Sequence, residues 1–455
     1  EDPDSLNELS CKQFADALAT SEMDCLTLRR FHVESSGWPC FVKGLATTKI
    51  LELHQIVSDT NLFDSLVDLS ENLLELSIIQ CSSKTRSDDL PWAAPVNSCA
   101  LYLEKMRIVE CQSHDFAVAL CRLGSIDTLK ELDLRDNTMS DHIASTLTRW
   151  LTQQASLDKL ILEGCNLSDA ACSSILNDLG EHQGITQINL QRNRLNGDSI
   201  NVLKLPPNLK ILDLSENKGL GDSSWLPSLV ENNPHVEEWN LATINMTDKG
   251  LADVCKVIDH HGVTSKIKVL DLRQTSVSTK GLEALSFVLE KGLASLVKID
   301  LASCGLGDDA ISNFAKSMKI HKSLVEVSLS YNPFGNATCR VLAEATTAVP
   351  SLRSLDIAFG RFDTEGLQYF VSALADNPRL ENMSFWTYAS FRGEMDEVEG
   401  RLDRWLLLNQ AGRRVIKEPV EINLFPIVLE RARRRGGQQG LHYILRESVH
   451  LFEAN

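Results

Sequence analysis

One segment of the chain reads Leu129-Lys-Glu-Leu132-Asp-Leu134-Arg-Asp-Asn137-Thr-Met139, and nearly the same spelling returns 28 residues later. The next two copies are Leu157-Asp-Lys-Leu160-Ile-Leu162-Glu-Gly-Cys165-Asn-Leu167 and Ile185-Thr-Gln-Ile188-Asn-Leu190-Gln-Arg-Asn193-Arg-Leu195. A fixed period of this length is the signature of a repeat protein, in which each unit packs only on its neighbours. The 455 residues are therefore expected to share one elongated core rather than several globular ones.

Two different periods occur within a single repeat. Leu132 and Leu134 alternate with polar residues, which is the period of a strand with one buried face. After the turn at Asn137, apolar residues recur at every fourth position, as on one face of a helix, at Ile143, Leu147 and Leu151. Each repeat is therefore predicted to be one strand followed by one helix.

This pattern, LxxLxLxxNxLxxxGxxxLxxxL, resembles the ribonuclease-inhibitor-like class of leucine-rich repeats, which is also found in NOD-like receptors and Ran GTPase-activating proteins. The small residue that opens the helix in that class is matched by Gly250, Gly281 and Gly366. The resemblance implies an α/β fold, a right-handed solenoid shaped like a horseshoe, with a parallel sheet on its concave side and helices on its convex side. It covers residues 23–390, about fourteen repeats, and implies a fold rather than a function.

The two ends of the chain depart from the repeat. Residues 1–22 are predicted to form a helical cap, because the bare end of a repeat stack exposes its core. Residues 391–455 are predicted to form a helical module, with helices over 395–416, from Pro426 to Gly436-Gly437, and over 441–452. The spelling Trp405-Leu-Leu-Leu-Asn409-Gln-Ala-Gly412 resembles a segment of uncharacterised leucine-rich-repeat proteins of photosynthetic algae, which implies no activity.

Four of the twelve cysteines occupy the repeat position that asparagine holds in other copies. In leucine-rich repeats this position points inward and hydrogen-bonds the backbone of the neighbouring coil, so these cysteines are expected to be buried structural thiols. Free thiols favour a reducing compartment. The positions are Cys81, Cys111, Cys165 and Cys304, against Asn137, Asn193, Asn217 and Asn332.

Motifs for metal binding or catalysis are missing from the sequence. There is no CxxC, no HExxH, no GxSxG and no Walker-type glycine loop, and Asp259-His260-His261, in a predicted insertion loop, lacks further ligands. No metal, no cofactor and no enzymatic activity are therefore predicted.

The formal net charge of −17 disfavours nucleic acid and anionic membranes as partners and is compatible with a basic protein ligand. No apolar run approaches the roughly 18–20 residues of a membrane span. An intracellular location, cytoplasmic or organellar, is expected, and Glu1 in place of Met indicates a processed or truncated N-terminus. The sequence does not indicate an oligomeric state.

The candidate binding residues lie on the predicted concave side. Tyr331, Phe359 and Trp386 fall at the ends of three successive strands, where exposed aromatic residues can anchor a protein interface. Charged candidates in the same region are Asp271, Arg273, Asp300 and Asp356. Two alternatives remain open: aspartate is an ordinary residue in such strands, and the C-terminal helices could cover the aromatic residues.

These observations favour a non-enzymatic scaffold that binds a protein partner on its concave face. Three alternatives are kept. The chain could be a GTPase activator, although the acidic tail of the Ran regulators is absent and the C-terminal region is rich in arginine. It could inhibit a basic enzyme, or it could be a structural subunit of a larger assembly.

Overall fold

The computed structural model describes residues 5–6, 8–19, 21, 23–30, 32–34, 37–45, 47–59, 72–83, 102–111, 120, 124–197, 200, 204–220, 224–261, 266–291, 293–387, 390, 393–414 and 425–447. The chain divides into two compact units, Glu1–Gly221 and Asp222–Asn455.

The first unit is built around parallel strands whose spatial order follows the chain. Its described residues contain eight such strands: β2 (Cys25–Arg29), β4 (Ile50–His54), β6 (Glu75–Ile79), β8 (Lys105–Val109), β9 (Glu131–Asp133), β10 (Lys159–Ile161), β11 (Gln187–Asn189) and β12 (Ile211–Asp213). A smaller parallel sheet contains β1 (Ser5–Leu6), β3 (His32–Val33), β5 (Val57–Ser58) and β7 (Ser82–Ser83). The helices are α1 (Glu8–Ala19), α2 (Trp38–Gly44), α3 (Asp141–Leu151) and α4 (Asp169–Asp178).

The second unit continues the alternation of strand and helix. In the part that the structure describes, its six parallel strands are β13 (Glu238–Asn240), β14 (Val269–Asp271), β15 (Lys298–Asp300), β16 (Glu326–Ser328), β17 (Ser354–Asp356) and β18 (Asn382–Ser384). Its helices are α5 (Leu226–Asn232), α6 (Asp248–His261), α7 (Thr279–Lys291), α8 (Asp308–Met318), α9 (Asn336–Ala348), α10 (Thr364–Asp376), α11 (Asp396–Gln410) and α12 (Phe425–Glu447). Parallel strands that alternate with helices confirm the predicted α/β leucine-rich-repeat solenoid.

The repeat hydrophobics form the core. Leu132 and Leu134 are fully buried, and the predicted helical stripe of α3 is buried as well, at Ile143, Leu147 and Leu151. Neighbouring strands pair residue for residue, so that Leu160 lies opposite Ile188 and equivalent side chains form continuous rows. Burial of each of these side chains stabilises the fold by about 1.5–3 kcal/mol.

The ends of the chain are close to the predictions but differ in detail. Helix α1 lies within the predicted N-terminal cap and packs on α2, whereas Ser5–Leu6 form strand β1, which pairs with β3. At the other end, the second and third predicted helices form one element, α12, interrupted at Gly437, where φ is 55°. Helix α11 ends at Gln410, earlier than the predicted 416. No described helix has both the length and the apolar character needed to cross a bilayer.

The predicted inward-pointing asparagines and cysteines join neighbouring coils. Asn137 Nδ2 donates to the carbonyl oxygens of Ile108, at 2.6 Å, and Leu134, at 2.7 Å, and its Oδ1 accepts from the Cys111 N–H at 2.9 Å. Cys165 Sγ lies 3.1 Å from the same Leu134 oxygen. Thiol and amide therefore have the same role, the thiol with fewer hydrogen bonds.

The buried thiols are expected to be unreactive in the folded chain. Burial raises the pKa of Cys111 and of Cys165 to about 12 in each case, so that very little thiolate exists at pH 8. We expect iodoacetamide to alkylate the exposed Cys25 and to leave Cys111 and Cys165 unmodified until the protein is unfolded. Peptide mass mapping measures this, and equal labelling rates at Cys25 and Cys111 in the native chain would contradict it.

Candidate functional site

A column of residues with left-handed backbone conformation runs along the carboxyl ends of the strands. Most repeats contribute one residue with φ between 53° and 60°, a conformation that bulky L side chains adopt only at a cost. The residue directly precedes the inward-pointing position, so the turn of the repeat imposes its conformation. The column contains Arg30, Gln55, Gln80, Glu110, Asp136, Arg192, Glu216, Thr243, Gln274, Ser303, Tyr331 and Phe359.

In the first unit, this column is a polar ladder. Arg30 Nε donates to Gln55 Oε1 at 2.9 Å, and Gln55 Nε2 donates to Gln80 Oε1 at 2.8 Å. Gln80 Nε2 in turn donates to Glu110 Oε2 at 2.7 Å. The side chains satisfy one another, so this stretch presents a hydrogen-bonded surface.

In the second unit, the column becomes aromatic. The rings of Tyr331 and Phe359 lie 4.4 Å apart, centroid to centroid, with an angle of 15° between their planes. Tyr331 remains 56% exposed and Phe359 is half-buried. Together with Trp386, which is 47% exposed, these residues are called the aromatic cluster.

Trp386 is offset by one position from the other two aromatic residues. Asp356 pairs with Ser384, so Trp386 is in register with Ala358 and not with Phe359. The Phe359 N–H donates to the Trp386 carbonyl oxygen at 2.6 Å, which holds the two backbones together. The indole stacks beside the buried ring of Phe385, with centroids 5.9 Å apart. This offset did not follow from the repeat pattern.

A shelf of small residues lies in the row that contains Trp386. Ala302, Ser330 and Ala358 hold the equivalent positions of three successive strands, and all three are buried. Adjacent strands are about 4.8 Å apart, so the shelf is about 10 Å wide. The sequence signal is a small residue two positions after each strand, a signal that the sequence analysis did not use.

The aspartates of the strands have a structural role that the sequence analysis left as an alternative. The Oδ1 atoms of Asp271, Asp300 and Asp356 each accept a hydrogen bond from the N–H two residues further on, at 3.0, 3.0 and 3.1 Å. The same bond occurs at Asp133 and Asp213 in the first unit. These carboxylates therefore fix the turn at the end of the strand, whatever else they bind.

Three of the four charged candidates meet in one ion cluster. Arg273 Nη2 lies 2.7 Å from Asp271 Oδ2, and Arg273 Nε lies 3.5 Å from Asp300 Oδ2. Burial is the main cause that raises the pKa of Asp300, and Arg273 opposes it. Asp356 lies two strands from Asp300 and accepts a 3.4 Å hydrogen bond from Ser328. The acidic ladder is therefore partly neutralised within the protein.

The described parts of the C-terminal helices pack on the end of the repeat stack and leave Tyr331 and Trp386 exposed. Asn409 Nδ2 donates to the carbonyl oxygens of Asn377, at 2.9 Å, and Leu380, at 2.8 Å. Tyr388, which the sequence places beside the cluster, lies outside the described residues.

A metal site is not formed where the sequence raised the question. Asp259, His260 and His261 are the last residues of helix α6, so the expectation of a loop at these positions was wrong. Among the residues that the structure describes, no group of three or more histidine, cysteine or acidic side chains is placed to hold a metal ion.

Comparisons with known proteins identify leucine-rich repeats. A family model described as Leucine Rich repeat matches residues 127–147 and 206–224. The chain is 25% identical to human NACHT, LRR and PYD domains-containing protein 5, covering 61% of this chain and 24% of that protein. It is also 25% identical to mouse ribonuclease inhibitor, covering 57% of this chain and 52% of that protein. The chain thus spans about a quarter to a half of these relatives.

Solved structures of similar topology include an internalin from Listeria monocytogenes, with a TM-score of 0.47 and 14% identity, covering 82% of this chain and 88% of that one. The yeast Rad7 and Elc1 complex gives a TM-score of 0.47 and 16% identity, covering 84% of this chain and 83% of that one.

Proposed function

We propose that this chain, a leucine-rich-repeat protein of the ribonuclease-inhibitor-like class, is a non-enzymatic scaffold that binds a protein partner through the aromatic cluster. The observation that carries the proposal is the stacked pair of Tyr331 and Phe359 beside an exposed Trp386. Tyrosine and tryptophan provide large contact areas with few rotatable bonds, and they dominate the energetics of protein interfaces.

The backbone at Tyr331 and Phe359 supports this reading. Both residues have positive φ, 56° and 60°, which costs on the order of 1–3 kcal/mol for a bulky side chain. Glycine or asparagine adopts this conformation more readily. Exposed aromatic rings at these positions are therefore unfavourable for folding, and a contact with a partner is a physical reason for their presence.

The stack also arrives preorganised. Two rings that already pack on each other have little rotamer freedom to lose when a partner covers them, so more of the contact energy appears as affinity. The shelf of Ala302, Ser330 and Ala358 leaves room for a partner side chain next to the indole of Trp386. Asp356, on the strand that leads to Phe359, makes a basic residue at the rim of such a partner favourable.

The proposal predicts that the double variant Tyr331→Asn and Phe359→Asn loses its partner while its melting temperature stays the same or rises. The loss of captured partner should be at least about tenfold, because two anchor residues are removed. The measurement is affinity purification of the tagged full-length product, with quantitative mass spectrometry against the wild-type chain.

The matched control is Phe287→Asn, since Phe287 is an aromatic residue of helix α7 that is 46% exposed and lies outside the cluster. Its partner capture should equal that of the wild type. Unchanged capture by the double variant sinks the proposal. A large drop in its melting temperature shows instead that the rings are part of the core.

A second candidate function rests on the sequence match with ribonuclease inhibitor. If the chain is an inhibitor, the captured partner is an enzyme whose activity falls when stoichiometric chain is added. A GTPase activator instead accelerates GTP hydrolysis by its partner. A structural subunit stays in a complex at high salt, where contacts between exposed charges are screened.

A further inference from the structure

A groove on helix α12 lies outside the aromatic cluster. It has a volume of about 500 Å³ and is lined by Pro426, Ile427, Glu430, Arg431, Arg434 and Arg435. These residues follow one another at helical spacing, so they share one face near the start of the helix. Ile427 is 67% exposed, which leaves an apolar floor open to solvent.

The charges around the groove do not balance. Glu430 is shared by Arg433, at 2.9 Å, and Arg434, at 2.7 Å. Hydrogen bonds from these two guanidinium groups lower the pKa of Glu430 to about 2, so it stays ionised at all ordinary pH values. With one carboxylate for two guanidiniums, half of the positive charge on this turn remains without a counterion among the described residues.

The same ratio holds at Glu381. Its carboxylate lies 2.8 Å from Arg431 Nη2 and 3.8 Å from Arg435 Nη1. Arg431 also donates from Nε to the Gln410 carbonyl oxygen at 3.0 Å, and it therefore ties α12 to the end of α11. The side chains of Arg434 and Arg435 are 74% and 60% exposed, so these two can turn toward a ligand.

We infer that this groove binds an acidic segment of a partner protein, with an apolar side chain over Pro426 and Ile427 and carboxylates on Arg434 and Arg435. Guanidinium groups bind carboxylates through paired hydrogen bonds, and the apolar floor supplies contact area that a free anion does not use. The sequence analysis treated these arginines as a solvated cluster, because the groove and Ile427 come together only in the folded helix.

Charge selects the class of partner. The whole chain carries −17, so a long polyanion or an anionic membrane is repelled by most of the molecule. A short acidic segment experiences mainly the local field, because charges beyond the Debye length of about 8 Å are screened at physiological salt. A short segment is therefore favoured over nucleic acid and over a membrane surface.

The test uses a fluorescein-labelled peptide of glutamate and aspartate around a central leucine, with anisotropy as the readout on the full chain. Saturable binding that weakens with salt is expected. Arg434→Glu combined with Arg435→Glu should weaken it at least about tenfold, and Ile427→Ser several-fold. Circular dichroism melting of each variant verifies folding, and Arg434→Gln, which adds no negative charge, should fall in between.

The matched control is Arg433→Glu, because Arg433 is an exposed arginine of the same turn that does not line the groove. It should change the affinity by less than about twofold if the groove rather than net charge binds the peptide. Equal losses for Arg433→Glu and Arg434→Glu overturn the inference. So do absent saturation, equal affinity for a peptide with serine in place of leucine, and equal binding to double-stranded DNA or phosphatidylserine vesicles.

Discussion

Replacement of Asn217 by alanine is expected to lower the free energy of unfolding of the first unit by about 3 kcal/mol. Asn217 is fully buried, and its Nδ2 donates to the carbonyl oxygens of Leu190 and Leu214, at 2.9 Å each. Its Oδ1 accepts from the Asn193 N–H at 3.0 Å. Alanine leaves these backbone groups unpaired in the core, which costs more than the hydrogen bonds contribute when made. Urea unfolding followed by circular dichroism measures the change.

Two further variants separate this cause from a general intolerance of mutation. Asn208→Ala removes an exposed amide with one hydrogen bond to the Gln183 carbonyl oxygen, and it should cost no more than about 0.5–1 kcal/mol. Asn217→Cys should recover part of the loss, because cysteines already fill this position at Cys111 and Cys165. A wild-type midpoint for Asn217→Ala, or equal losses at both asparagines, contradicts the assigned role.

Arg413→Met is expected to destabilise the C-terminal end of the second unit by roughly 3 kcal/mol. Arg413 is 1% exposed, and its guanidinium lies over the ring of Trp405, 4.3 Å from the centroid. Nη1 donates to the Leu374 carbonyl oxygen at 2.7 Å, and Nη2 donates to the Ala375 carbonyl oxygen. These carbonyls belong to the last turn of α10, where the helix dipole favours a positive charge. Methionine fills part of the volume and leaves both carbonyls without their donors.

One feature opposes this expectation and makes the test informative. Arg413 Nε is buried without a partner among the described residues, and buried charges are sometimes replaced by apolar groups with a gain in stability. We expect the lost carbonyl partners to dominate. Hydrogen exchange in α11 and α12 should rise in Arg413→Met and stay unchanged in the control Arg404→Met, an exposed arginine of α11. A higher melting temperature for Arg413→Met shows that the unpaired Nε was the larger cost.

Much of the candidate site was within reach of sequence reasoning. Tyr331 and Phe359 are 28 residues apart, and the repeat period places such residues on adjacent strands. Their stacking follows from that register. The offset of Trp386 does not, because it depends on the residues after β18, where the repeat pattern ends. The pairing of Arg273 with Asp271 and Asp300 also escaped prediction, since rotamers of exposed side chains leave no periodic trace in a sequence.

The amino-acid sequence by itself determined the repeat, the alternation of strand and helix, and the inward role of Asn137 and Cys165. These features follow from contacts between a residue and its equivalents in adjacent repeats, which recur at a fixed spacing. Only the tertiary structure decided which side chains stay exposed and which charges are neutralised. The left-handed backbone at Tyr331, the open floor at Ile427 and the buried Arg413 each depend on a turn or a helix end. At such places several chain segments meet without a period, so no local pattern records the outcome.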